Sequence, residues 1–320
     1  MSGQRGSDGY IGISKQTKKG TAVQAAKFCR LSGPDSWDFV QDFIEVGSLN
    51  ADEEIDDILK TGHNIDGSFD TYIRPDFGAA IMAYALGADS VVTGTVHTHT
   101  ITKANTIPWV TFERDLISTE RVLDGKINQV VIRGEAGMPL VMTVNFFGID
   151  LTEEDAASPS YETDLPFRTF EGTYTLDSSE ATTVTAFTIT ISRNLYKVKT
   201  CEDYKWNDFL EQKCTVDVNL TLKLESADTQ YLAVQMAGGS ALASTLDGGS
   251  LEIDCTRGSA GTEREFKISI PTLYWLTATK HLNPDSSPVF VDVSGKAYWH
   301  TTNELITVTA KNTESSAYVS

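Results

Sequence analysis

Val216–Gly239 (VDVNLTLKLESADTQYLAVQMAGG) decides how this chain is read, because it restates Gly67–Gly87 (GSFDTYIRPDFGAAIMAYALG) about 150 residues later. In the later stretch Val216, Val218, Leu220, Leu222 and Leu224 alternate with Asp217, Asn219, Thr221, Lys223 and Glu225. Period-two alternation puts the first set on one face of a strand and the second set on the other. Ser226 then caps a helix expected to stop at Gly238-Gly239. In the earlier stretch Phe69, Thr71 and Ile73 face one way, while Ser68, Asp70, Tyr72 and Arg74 face the other. Pro75 suits a first helical turn, Phe77, Ile81, Tyr84 and Ala85 make an apolar stripe, and Gly87 supplies the stop.

Working outward, each strand–helix unit sits in a similar frame. Asp38–Val46 is a plausible strand, and Gly47–Thr61 is a charged insertion in which Asn50 or Asp52 could cap a short helix. Strands are expected after the first unit at Val91–Ile101, Trp109–Arg114, Lys126–Arg133 and Leu140–Phe147, the last two joined by a hairpin at Gly134-Glu135-Ala136-Gly137. Residues 150–166 are polar, proline-bearing and aperiodic, which reads as a linker. Strands at Phe170–Leu176 and Thr183–Ser192 follow, then an aromatic insertion at Arg193–Lys213. After the second unit come Leu251–Arg257, Glu265–Lys280, Val289–Tyr298 and Glu304–Lys311. The division expected is an arm at 1–37, a first β unit at 38–150, a linker at 151–166 and a second β unit at 167–320. Internal duplication points to symmetric assembly rather than to one catalytic pocket.

The net charge of −18 argues against gripping a polyanion, which needs clustered Lys and Arg. No apolar run approaches the roughly 20 residues of a membrane span, and the N-terminus has no secretory h-region. Cys29, Cys201, Cys214 and Cys255 show no CxxC spacing and read as reduced thiols, although Cys201 and Cys214 could pair across a hairpin.

Candidate chemistry is sparse. His97 and His99 share a strand face, as two metal ligands would, but no third ligand stands at a recognisable spacing, so exposed or hydrogen-bonded strand histidines are the first reading. Asp52-Glu53-Glu54 lacks the glycine and spacing of a calcium loop. No nucleophile elbow, zinc helix, phosphate loop or dinucleotide fingerprint occurs. The expectation is a non-enzymatic protein with no cofactor, no metal and no membrane partner.

The run Tyr10-Ile11-Gly12-Ile13-Ser14-Lys15-Gln16-Thr17-Lys18-Lys19-Gly20-Thr21-Ala22-Val23 resembles the opening of tail tube (major tail) proteins of long-tailed bacteriophages. The likeness continues through Ile44–Val46, Gly67–Gly87, Trp109–Arg114, Lys126–Phe147, Phe187–Leu195 and Glu304–Asn312; the insertion around Cys201–Cys214 departs from it. The resemblance implies a mainly β fold with minor α, built as two tandem tail-tube sandwich units, each with a flanking helix, that contribute to a ring-shaped inner β-barrel. It implies a siphovirus-type virion protein, assembled in the host cytoplasm, whose rings stack into a conduit for genome delivery. Partners would be further copies of itself, trimers favoured over hexamers, with a tape-measure protein in the lumen, passing double-stranded DNA, and tail terminator and tail-tip proteins.

On this reading Ser68, Asp70, Tyr72, Arg74, Asp217, Asn219, Thr221, Lys223 and Glu225 face an acidic lumen. Asp52, Glu53, Glu54, Asp56, Asp57, Tyr204, Trp206 and Phe209 would sit on ring-stacking loops, and Tyr10, Ile11, Ile13 and Val23 on an N-terminal arm that bridges subunits. The rivals are a β-sandwich adhesin or glycan-binding module, and another virion part such as a terminator or decoration protein.

Overall fold

A computed structural model describes residues 9–47, 57–224, 248–280, 288–300 and 303–319. The first half runs β1 (Tyr10–Lys15), β2 (Lys27–Cys29), β3 (Ser36–Val46), β4 (Asp57–Tyr72) and α1 (Pro75–Leu86). It continues with β5 (Gly87–Val92), β6 (His97–Lys103), β7 (Val110–Asp115), β8 (Thr119–Glu135), β9 (Val141–Gly148) and β10 (Asp150–Glu154). The second half runs β11 (Gly172–Leu176), β12 (Ser179–Glu180), β13 (Val184–Ser192), β14 (Tyr196–Val198) and β15 (Asp208–Leu210). It ends with β16 (Thr215–Lys223), β17 (Gly248–Arg257), β18 (Arg264–Lys280), β19 (Phe290–Ala297) and β20 (Thr307–Asn312). The fold is mainly β and antiparallel.

Eight strands lie side by side in the order β3-β4-β9-β8-β13-β16-β19-β18. Behind them run two further arrays, β2-β1-β7-β8-β10 and β12-β11-β17-β18-β20-β6-β5. Strands β8 and β18, each 17 residues long, belong to both layers. Each changes layer near a β-bulge, which bends a strand and sharpens its twist. The two layers enclose one apolar cluster that takes in Phe69, Val144, Val130, Ile189, Leu220 and Val293 from the eight-stranded side. Helix α1 is buried in the same cluster, so the halves share a core. Its last turn ends where Gly87 takes φ 100°, a left-handed cap that costs glycine nothing.

The pairing repeats across the halves. Trp37 lies opposite Gly67, Gly67 opposite Phe146, and Phe146 opposite Ile127, where β8 bulges against β9. In the second half Ile189 lies opposite Val218, Val218 opposite Gly295, and Gly295 opposite Trp275, where β18 bulges against β19. A second bulge matches as well: Val110 to Phe112 of β7 faces Gly125 to Val122 of β8, and Gly249 to Leu251 of β17 faces Leu273 to Ile270 of β18, so the extra residue lies on β8 and on β18. The side chains at the first bulge have exchanged size. A Cβ on Gly295 would stand 2.9 Å from the Trp275 ring, so the bulk that Phe146 supplies in one half comes from Trp275 in the other. Volume-conserving exchange is what a packed interior tolerates best.

Several expectations are corrected. Tyr10–Lys15 is no loose arm: β1 is laced between β2 and β7, and Tyr10, Ile11 and Ile13 are buried. The Tyr10 hydroxyl donates to Glu113 Oε1 at 2.6 Å, and Glu113 also accepts from Arg121 Nε at 2.9 Å. The expected linker contains β10 and then Glu162, whose carboxylate accepts the backbone N–H groups of Asp76 and Phe77 at 2.8 and 3.0 Å. It thereby caps the start of α1 in place of a side chain from the helix itself. The single strand expected at Val91–Ile101 is the hairpin β5–β6, broken by Gly94. Asp57–Thr61, expected within a helix or loop, is strand, because β3 and β4 extend as one long hairpin. Cys201 is exposed and Cys214 buried, and both are free thiols. The helix expected after Ser226 lies outside the described residues.

His99 is buried, with Nδ1 3.0 Å from Asp89 Oδ2 and Nε2 2.9 Å from the Glu314 carbonyl. Burial alone would lower its pKa, but these two acceptors outweigh burial and raise it. Among the described residues no group of three His, Cys, Asp or Glu side chains gathers as a metal site, and no helix is long and apolar enough to cross a membrane.

Candidate assembly surface

The eight-stranded layer has two unlike faces, because its strands alternate. Its inward side chains form the core, and its outward side chains form a hydrophilic ladder that crosses from one half to the other. Thr143 donates to Asp70, Arg133 to Thr143, and Asn145 to Gln129. Gln129 Nε2 then donates to Ser192 Oγ at 3.0 Å, across the β8–β13 seam. Thr221 donates to Asp292, and Lys296 pairs with Asp217 at 3.2 Å. Hydroxyls and amides dominate the ladder. Of its charges Asp70 pairs with Arg133 and Asp217 with Lys296, Asp292 accepts from Thr221 and is exposed, and Asp38 and Glu135 stand exposed nearer its margins.

Among the described residues the layer is unpaired at both edges. At one edge β3 exposes Phe39, Val40, Phe43, Ile44 and Val46, and at the other β18 exposes Leu276. A long apolar edge strand is a template for pairing with another chain.

One insertion is already docked. The β14–β15 hairpin lies on the first half, where Leu195 and Phe209 pack with Ile107 and Ile149, flanked by Trp109, Phe147 and Trp206. Lys126 Nζ donates to the Phe209 carbonyl at 3.0 Å and pairs with Glu211 at 2.6 Å. Lys197 pairs with Asp66 at 2.6 Å and lies 4.1 Å over the Phe147 ring. Burying the Glu211 carboxylate opposes its ionisation, but the Lys126 ammonium and the Ile107 N–H prevail and hold its pKa low.

A family model described as phage tail tube protein matches residues 6–297. The chain belongs to the phage tail tube protein family. It is therefore a component of the virion tail, in a family that self-assembles into a tube. No curated protein matches it significantly.

Within this tail tube protein the residues singled out from sequence have distinct placements. Ser68, Asp70, Tyr72, Asp217, Asn219, Thr221 and Lys223 lie on the hydrophilic face, half-buried or exposed. Arg74 departs from it, donating to the Asp164 carbonyl at the start of α1, and burial lowers its pKa. Glu225, Asp52, Glu53, Glu54 and Asp56 lie outside the described residues, and Asp57 is exposed on β4. Trp206 and Phe209 are corrected from outward anchors to members of an internal cluster, because the hairpin folds back on its own chain. Tyr204 stays exposed and makes a ring contact with His63. Val23 is half-buried, with its N–H donating to Thr111. Sequence reading missed the β8–β13 seam and the exposed apolar strand ends 43–46 and 57–59 of β3 and β4. The apolar run Phe43, Ile44, Val46, Ile58 and Leu59 was its available signal.

Proposed function

We propose that three copies of this tail tube protein close a ring whose inner wall is the eight-stranded layer of each copy. The rings stack into the tail tube of a siphovirus-type virion, around a tape-measure protein, and the tube later conducts double-stranded DNA. Tail terminator and tail-tip proteins bound its ends, and no catalysis is involved. The observation that carries this reading is a continuous antiparallel sheet with one hydrophilic face and, among the described residues, two unpaired edges. Closing the ring removes both edges and puts the polar ladder on the lumen side. Twenty-four strands spaced about 4.8 Å and tilted about 40° give a backbone barrel roughly 48 Å across, wide enough for a duplex once side chains are added.

The reading divides each chain into two equivalent sets of four strands, so the ring has threefold symmetry and pseudo-sixfold shape. A hexamer with its second half outside is disfavoured, because β13, β16 and β19 continue the same layer as β4, β9 and β8. Near the wall, acids at the margins of the ladder repel phosphates over about 8–10 Å at physiological salt, which lubricates passage. Electron microscopy of the purified chain tests the proposal. Rings or tubes of uniform width with three subunits per ring are expected, and dispersed monomers at high concentration, or six subunits per ring, would overturn it.

A further inference from the structure

The matched registers supply more than a count of copies, because one joint between repeats is already visible inside the chain. Start at the bulge, where Ile127 and Trp275 hold equivalent places opposite Phe146 and Gly295. Moving across the strands, Trp37 and Ile189 are then equivalent, as are Val40 and Ser192 three residues on. Moving along β8 and β18, Gln129 corresponds to Thr277, and Val130 to Ala278. The hairpins correspond pair for pair: Ile44 opposite Leu59 and Glu45 opposite Ile58 match Tyr196 opposite Leu210 and Lys197 opposite Phe209. Phe43 therefore holds the place of Leu195, and Ile58 that of Phe209.

At the internal joint Ser192 lies opposite Gln129 and Ile191 opposite Val130. The β14–β15 hairpin covers the groove floored by Lys126, Phe147 and Ile149. The equivalent groove in the second half is floored by Tyr274, Lys296 and Tyr298. It lies open, with a volume of about 530 Å³, walled by Leu276 and Trp299. Trp299 is 67% exposed. The hairpin that would cover it belongs to β3–β4, where Phe43 and Ile58 are 60% and 59% exposed.

We propose that the joint between neighbouring copies repeats the joint within the chain. Strand β18 of one copy pairs with β3 of the next, Thr277 opposite Val40 and Ala278 opposite Phe39, while Phe43 and Ile58 of the incoming hairpin fill the Tyr274–Tyr298–Trp299 groove. The occupant is a second copy of this chain, and the inference rests on the ring reading above. Charge agrees with it. Inside the chain Lys197 meets Asp66 and the Phe147 ring. At the open joint the equivalent residues are Glu45, Asp217 and Lys296, so the lysine has changed sides and its carboxylate partner has changed with it. Lys296 already holds Asp217 and is placed to take the neighbour's Glu45 as well.

Cysteine pairs in the full chain test the register, with Cys201→Ser removing the exposed thiol. In rings verified by microscopy, Val40→Cys with Thr277→Cys is expected to form reducible covalent trimers. The control pair, Val40→Cys with Thr279→Cys, is offset by two residues, a diagonal spacing of about 7–8 Å that lies out of disulfide reach. Equal or greater cross-linking of the offset pair, or none in either pair within intact rings, overturns the joint while leaving the tube standing. Absence of rings in the wild-type chain would remove the tube reading, and the joint with it. Charge reversal is the second measurement. Lys296→Glu should abolish rings while the monomer's circular dichroism stays unchanged, and Glu45→Lys combined with Lys296→Glu should restore them. A double variant no better than the single one sinks the proposal.

Discussion

Leu195 and Phe209 stand 9% and 1% exposed, whereas their register counterparts Phe43 and Ile58 stand 60% and 59% exposed. The four side chains are alike in size and polarity and sit on hairpins of matching registers. What differs is the surface in front of them. The second half's hairpin has the first half to lie on, whereas among the described residues the first half's hairpin touches its own chain through Thr61 and His63 and leaves Phe43 and Ile58 uncovered. Exposed apolar clusters of this kind mark interaction surfaces. A tandem repeat therefore shows one finished joint and one unfinished joint in a single molecule.

The largest expected effect separates those two joints. Phe209→Ala should cost the isolated chain about 3–5 kcal/mol, as truncating a fully buried phenylalanine does. Ile58→Ala should change it by no more than about 0.5 kcal/mol, as a surface substitution does. Denaturant midpoints of the unassembled protein measure both. Equal losses would mean that Ile58 is buried in the lone chain, and the contrast would be gone.

A matched pair of carboxylates gives the next effect. Register makes Glu113 on β7 the counterpart of Glu252 on β17, each one residue beyond the matched bulge partners Phe112 and Leu251. Glu113 is fully buried, held by Arg121, Tyr10 and the Ala25 N–H. Glu252 is about a third exposed and pairs with Lys267 at 2.8 Å. Glu113→Gln should cost about 1.5–3 kcal/mol, the range for a hydrogen bond to a charged group. Glu252→Gln should cost at most about 1 kcal/mol, as for surface pairs. Similar costs at both sites would show that β1 adds no burial of consequence to the first half.

Much of this arrangement is legible in the chain's own pattern. Alternation through Val216–Leu224 marks one hydrophilic and one apolar face, and Pro75 and Gly87 bracket α1 closely, since period and cap chemistry are local. Partnership is not local. Nothing in Tyr10–Lys15 tells a docking arm from a strand whose partner is the distant β7, and nothing near Phe209 says that its hairpin turns back on Ile107 and Ile149. Glu162 looks like one more acid in a polar stretch, and its role depends on a helix start 85 residues earlier in the chain.

That carboxylate offers the mildest test, a slope rather than a step, at the seam between the halves. Burial pushes the Glu162 pKa up to about 7, against the N–H groups of Asp76 and Phe77, which favour its ionised form. The nearby Asp76 and Asp164 carboxylates add to the rise. A raised folded-state pKa means that the folded chain holds the proton more tightly than the unfolded chain. The stability this confers is therefore complete below about pH 4.5 and is lost as pH climbs through about 7. Glu162→Gln keeps a carbonyl acceptor for the helix start but has no proton to lose. The stability of the wild-type chain relative to Glu162→Gln should fall between pH 4.5 and 7 and level off above that, as read from urea midpoints at matched ionic strength. A difference that grows with pH would mean that the helix N–H groups govern this carboxylate and burial does not. The start of α1 would then be held by a charge, and the seam would strengthen where it is expected to weaken.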